Sequence, residues 1–265
     1  MPRRLLALLP VLVAAAACRP DTVDLFYRFS EGTVTYRMEA TATARWDIGG
    51  RGEGSYRVVF DVSEDVTEET GGTARVRVVM TPVHVEEDDL PAPADERSFA
   101  LRVDRNGGVL QVLQVDGADV ADLDPNELAL IGTYRPPLAL DPVALGDTWL
   151  SEQEVEAGDS FQQLVTLGEL DSLYRDADGP VARLAYEGDG PLLWATDLPQ
   201  GRAELRGAAE TRGTADVAIE EGSLRSATST FRGDFDVRVV PAGGTATPLT
   251  GTLRLDLELA VERRE

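Results

Sequence analysis

The chain has 265 residues, 43% of them hydrophobic, enough to bury a sizeable core. Its net charge is −22, and all 25 basic side chains are arginine. That balance excludes nucleic acid as an expected partner, because phosphate binding needs clustered Lys and Arg.

The first 17 residues read as an export signal. Arg3 and Arg4 precede an apolar run over 5–13, interrupted only by Pro10, and small residues fill 14–17. The apolar stretch is short of the ~20 residues that cross a hydrocarbon core. Ala15-Ala16-Ala17-Cys18 resembles the lipobox of bacterial lipoproteins, with Ala15 where leucine is usual. Cys18 is the sole cysteine, so it has no disulfide partner within the chain. The resemblance implies cleavage before Cys18, a diacylglycerol thioether on its sulfur and, usually, an acylated amine. Two or three acyl chains anchor stably where one is marginal. Cleavage would also remove Arg3 and Arg4 and no acid, taking the net charge to −24. Arg19 follows the cysteine. In a Gram-negative host it favours the periplasmic face of the outer membrane; otherwise the expected place is the outer face of the cell membrane. Residues 18–23 form the lipidated tether.

Strict alternation then begins. Val34, Tyr36, Met38, Ala40, Ala42, Ala44, Trp46 and Ile48 are apolar, with Thr35, Arg37, Glu39, Thr41, Thr43, Arg45 and Asp47 between them. A period of two predicts a long half-buried strand. Gly49 and Gly50 start a turn; Tyr56, Val58, Phe60 and Val62 continue the pattern, and Gly71-Gly72 breaks it. Ala74, Val76, Val78 and Met80 resume it, and Glu86-Glu87-Asp88-Asp89 reads as a solvated loop at a strand end. Asn106-Gly107 and Asp178-Gly179 are hairpin signals. Asp124-Pro125-Asn126-Glu127 supplies an N-cap, a first-turn proline and a capping glutamate, so a short helix is expected near 125–131.

The same alternation returns at Ala203, Leu205, Gly207, Ala209, Thr211, Gly213, Ala215, Val217 and Ile219. Glu221-Gly222 turns the chain. Phe231 to Val239 and Leu249 to Val261 complete about ten or eleven strands. The expected fold is all-β: a large antiparallel meander forming a curved sheet, half-barrel or β-sandwich, with that one short helix. It makes either a single domain over 24–263 or two β halves, 24–115 and 148–263, joined by the helix-containing linker.

Two stretches resemble exported bacterial β domains of unknown function. One is the Tyr27-Arg28-Phe29 strand with Glu31-Gly32 after it; the other is the Gly146-Asp147-Thr148-Trp149 turn behind a proline-containing linker. The signal, anchor, long curved strands and small helix also look like the half-barrel lipid carriers, such as the lipoprotein-localisation proteins of Gram-negative envelopes.

One short helix cannot cover a sheet of this size, so the apolar face must meet a second sheet, close on itself, or hold a guest. Small inward residues at 40, 42, 44, 207, 209 and 213 would let the sheet bend or leave room. Tyr36, Met38, Ala40, Ala42, Trp46, Tyr56 and Phe60 are therefore the candidate lining of an apolar-ligand site.

Catalytic and metal chemistry find little support. His84, the only histidine, lies in a strand-like Val-His-Val and reads as a surface residue. No Gly-x-Ser-x-Gly elbow accompanies it. Asp176-Ala177-Asp178-Gly179 has the start of a calcium loop without its later ligands and reads as a hairpin turn. Trp149 and Trp194 read as core or strand-edge packing. The sequence thus leads to a non-enzymatic, membrane-anchored envelope lipoprotein, needing no cofactor or metal, that binds or carries an apolar molecule such as a lipid. Its alternatives are a protein-interaction module with a packed β core and a carboxylate-based hydrolase. The expected partners are the membrane, through Cys18, and an apolar small molecule or an envelope protein.

Overall fold

The computed structural model describes residues 22–29, 32–119, 135–157, 160–198, 201–242 and 247–264. Alternation becomes twelve strands. The first arm holds β1 (Thr33–Ile48), β2 (Arg51–Thr70), β3 (Thr73–Asp88), β4 (Arg97–Asp104), β5 (Val109–Val115) and the two-residue β6 (Ala118–Asp119). The second holds β7 (Thr148–Ala157), β8 (Ser160–Asp176), β9 (Gly179–Leu198), β10 (Gly201–Ala218), β11 (Ser223–Pro241) and β12 (Leu249–Arg264). All belong to one antiparallel sheet in the order β6-β5-β4-β3-β2-β1-β12-β11-β10-β9-β8-β7. Every neighbour is a sequence neighbour except the pair β1–β12, which joins the arms, so the ladder runs unbroken through both halves of the chain.

The outermost long strands, β5 and β7, come into contact without joining the ladder. The sheet thus curls nearly to closure, making a barrel rather than the half-barrel or sandwich expected from the sequence. No helix occurs among the described residues; the helix expected near 125–131 lies outside them.

The central pair shows how the small residues are used. Ala40, Ala42 and Ala44 sit in register with Leu259, Leu257 and Leu255 on one side. Ala40 and Ala42 meet Val58 and Tyr56 on the other. Ala40 and Ala42 are flanked on both sides by bulky neighbours, so layers of unequal side chains interdigitate there; Ala44 has Leu255 on one side and Gly54 on the other.

Two local features depart from simple alternation. β3 continues through Asp88, so Glu86, Glu87 and Asp88 are an exposed strand end rather than a loop. Pro82 lies within that strand where the register shifts at Val59/Phe60, a bulge that tolerates its missing N–H. The hairpin signals at Asn106-Gly107, Asp178-Gly179 and Glu221-Gly222 all fall at turns between neighbouring strands.

Wall side chains alone fill a barrel of about eight strands, and a wider one leaves a lumen. Here the chain fills it. Leu25, Tyr27 and Phe29 belong to the buried core, as do Leu138, Ala139 and Val143. Tyr27-Arg28-Phe29 is not a strand of the sheet, contrary to the sequence reading. Its amides are taken up singly: Tyr27 donates to the carbonyl of Arg105 (2.7 Å) and Arg28 to that of Gly222 (2.8 Å). Val23 and Val143 exchange backbone hydrogen bonds of 2.8 and 2.9 Å, tying the two filling segments together. These contacts reach the β4–β5 and β10–β11 turns, so the plug closes the end of the barrel where those turns lie.

Candidate functional site

The inner face of β1 and β2 is packed. Tyr36, Met38, Ala40, Ala42, Tyr56 and Phe60 are each at most 3% exposed. A void large enough for water would appear as exposed surface on them, so no guest-sized space adjoins these side chains. Trp46 is half-buried, its ring lying across Gly52. Gly207 and Gly213, expected to leave room, are half-buried. A β-carbon added at Gly213 would stand 2.6 Å from the Tyr186 hydroxyl, and one at Gly207 2.9 Å from the Phe235 ring. At each, the neighbouring strand's backbone and an aromatic ring both stand where a β-carbon would go.

At the plugged end the interior turns polar. Arg135, 8% exposed, forms a buried ion pair with Glu64 of β2. Its guanidinium lies 5.1 Å from the centroid of the Tyr27 ring and 5.9 Å from that of Phe29. The Tyr27 hydroxyl donates to the carbonyl of Pro136 (3.1 Å), and Asn106 Nδ2 donates to that of Ala139 (2.7 Å). Burial raises the phenol pKa values of Tyr27 and Tyr36 well above ordinary, although the nearby Arg135 charge pulls the other way. Both remain neutral hydrogen-bonding groups at physiological pH. This cluster locks the linker to the wall.

The outer wall is charged. Arg57 donates to Glu39 (2.7 Å), Arg232 to Asp256 (2.7 Å), and Arg183 holds Asp216 with two bonds of 2.9 Å. For Asp216, burial alone would raise the carboxyl pKa, but the Arg183 hydrogen bonds and charge outweigh it and hold it low. Glu39 and Asp256 are held low chiefly by their arginine hydrogen bonds. A membrane-spanning barrel has an apolar outer band and a polar lumen. This wall has the reverse arrangement, so lipid tails are not its surroundings.

The same wall is hollowed. A groove of about 790 Å³ crosses β1, β12, β11, β10, β9 and β8, bordered by Glu39, Thr41, Leu167, Glu169, Glu187, Arg212 and Glu258. A second, of about 680 Å³, shares Leu167, Glu187, Arg212 and Glu258 with it and extends to Leu150 and Val165. Leu150 and Leu167 face each other across β7 and β8 at 71% and 40% exposure. The trough therefore combines an aliphatic edge with mostly acidic borders.

The remaining candidates fall into place. His84 is exposed on β3 and 2.8 Å from Glu86. Asp176 accepts the amide of Asp178 (2.9 Å) in the β8–β9 turn. Trp149 donates to the carbonyl of Pro137 (3.1 Å), and Trp194 is buried. Among the described residues no three His, Cys, Asp or Glu side chains are placed to hold a metal ion. Cys18 lies outside the described residues. Sequence reasoning missed Glu64 and Arg135. The signal was present: Glu64 continues the inward series 56, 58, 60, 62, and an acid on an apolar face needs a partner.

The chain matches no family model and no curated protein. Among solved structures it is similar to Pseudomonas aeruginosa OccK11 (OpdR), at 11% identity, over 90% of this chain and 99% of the other, with a TM-score of 0.23. A superposition that loose carries no argument about this chain.

Proposed function

We propose that this is an exported, lipid-anchored protein of the bacterial envelope that acts through the outside of its barrel, as a non-catalytic module binding another envelope protein. The observation that carries the reading is the filled interior: the chain's own residues occupy the space an apolar guest would need. A lipid held against Tyr36, Met38, Ala40, Ala42, Tyr56 and Phe60 is not part of this reading for that reason, while Trp46 is half-buried and borders a separate groove of about 640 Å³. The outer wall carries the trough. Its borders set Glu39, Glu169, Glu187 and Glu258 against Arg212, a balance that suits a basic partner segment. Its aliphatic edge at Leu150, Val165 and Leu167 supplies desolvated contact. The anchor is the acylated Cys18. It places the barrel at the periplasmic face of the outer membrane in a Gram-negative host, and at the outer face of the cell membrane in a host without one.

Photo-crosslinking in the native host tests the reading. A photoreactive side chain at Leu167 should give one discrete protein adduct, lost when Glu187 and Glu258 are replaced by glutamine. The control is Val85, exposed on β3. Equal, diffuse labelling at Leu167 and Val85 would count against a partner in the trough.

A further inference from the structure

We infer that the plugged end of the barrel rests on the membrane surface, with Leu140 and Leu145 entering the headgroup region of a zwitterionic bilayer. The inference rests on the anchored reading of Cys18 and adds to it an orientation and a contact surface.

The tether sets the distance. Only five peptide steps separate Cys18 from Val23, and a fully extended chain covers about 3.4 Å per residue. The Val23 backbone is therefore held within about 17 Å of that of the lipid-bearing Cys18. It is fixed to the barrel at Val143 by two backbone hydrogen bonds, so the chain cannot pay out further without breaking the plug.

The two leucines flank that fixed point. Leu140 is 72% exposed and Leu145 61% exposed, three residues before Val143 and two after it. They stand on a stretch whose other apolar members, Leu138, Ala139, Val143 and Ala144, are buried. Leu173, 38% exposed, lies near the same end of β8, where the amide of Gly146 donates to the carbonyl of Leu170. Large side chains left in water beside a lipid anchor gain by entering the interface.

Charge selects the lipid. Asp141 and Asp147 are exposed beside the leucines. Asp178 in the neighbouring turn is paired with Arg225, and Arg28, Arg105 and Arg175 are exposed at the same end. Anionic headgroups would repel the two carboxylates next to the leucines, and zwitterionic ones would not. The far end is out of reach. β12 is 16 residues long, and at about 3.3 Å per residue it separates the two ends by roughly 50 Å along the strand.

The test uses the full acylated chain in phosphatidylcholine vesicles. With Cys18 acylated, a thiol introduced by Leu140→Cys, Leu145→Cys or Leu249→Cys is the only reactive one, and each takes a nitroxide label. Leu249, 52% exposed at the start of β12, marks the opposite end. Depth measurement should place the labels at 140 and 145 about 5–10 Å into the headgroup–acyl boundary, with the label at 249 in water. Labels at 140 and 145 as accessible to water as that at 249 would overturn the docking while leaving the anchor intact. The mass of the N-terminal peptide reads the anchor separately: an unacylated Cys18 would overturn the anchored reading and this orientation with it.

Discussion

Replacing Arg135 by methionine should destabilise the barrel by about 3–5 kcal/mol, the range for breaking a buried ion pair from one side. Methionine has nearly the length of the arginine stem, so the change removes the guanidinium, with its contacts to the Tyr27 and Phe29 rings, and keeps an aliphatic stem. Glu64 is left 3% exposed without the guanidinium that faces it. The cost lies in burying that carboxylate without its cation rather than in lost attraction. Glu64→Gln in the Arg135→Met background should therefore restore about 1–2 kcal/mol, because a neutral amide is cheaper to bury than a carboxylate. Equilibrium urea unfolding at pH 7 measures both steps, and the single variant should also melt roughly 10 °C lower, at about 2–4 °C per kcal/mol for a chain of this size. A loss under about 1 kcal/mol, or no recovery in the double variant, would refute the claim that this pair fastens the linker inside the barrel.

Three further outcomes follow from the same packing and charges. Thr211 is 5% exposed on the inner face of β10, and its hydroxyl has no hydrogen-bond partner among the described residues. Thr211→Val should raise stability by about 1 kcal/mol in urea unfolding, and a comparable loss would mean that the hydroxyl is satisfied. Carboxylates held below their unfolded pKa stabilise the fold above that value and lose the contribution as pH falls through the folded one. Asp216 is such a group, so Arg183→Gln should lower the urea midpoint slightly at pH 7 and converge with the parent as pH falls below about 4, through the folded carboxyl pKa. A difference that persists unchanged at pH 3 would contradict the assignment. Cys18→Ser should move the protein from the membrane fraction to the soluble fraction of its host with an unaltered β-sheet circular dichroism spectrum; continued membrane association would show that the anchor lies elsewhere.

The strands were legible because each carries its own evidence. In β1 every even side chain from 36 to 44 is buried, as alternation required, and the glycine turns ended strands where they stood. Closure was not legible, since β5 and β7 meet through the curvature accumulated over the whole sheet. The plug was harder still. Tyr27-Arg28-Phe29 alternates like a strand, and only its long-range contacts with Arg105 and Gly222 take it out of the ladder. The small inward residues misled for a related reason. An alanine or glycine in sequence looks like space, but Leu257 lies in register with Ala42, and Tyr186 with Gly213. Of the candidate lining, the inward placement was readable and the filling was not.

Native mass spectrometry of the full protein, extracted from its host membranes in mild detergent, reads both the lipid anchor and the filling of the barrel by its own chain. The predicted spectrum is a chain beginning at acylated Cys18 that carries no stoichiometric non-covalent lipid. A chain with a bound lipid molecule that survives removal of the detergent would contradict it.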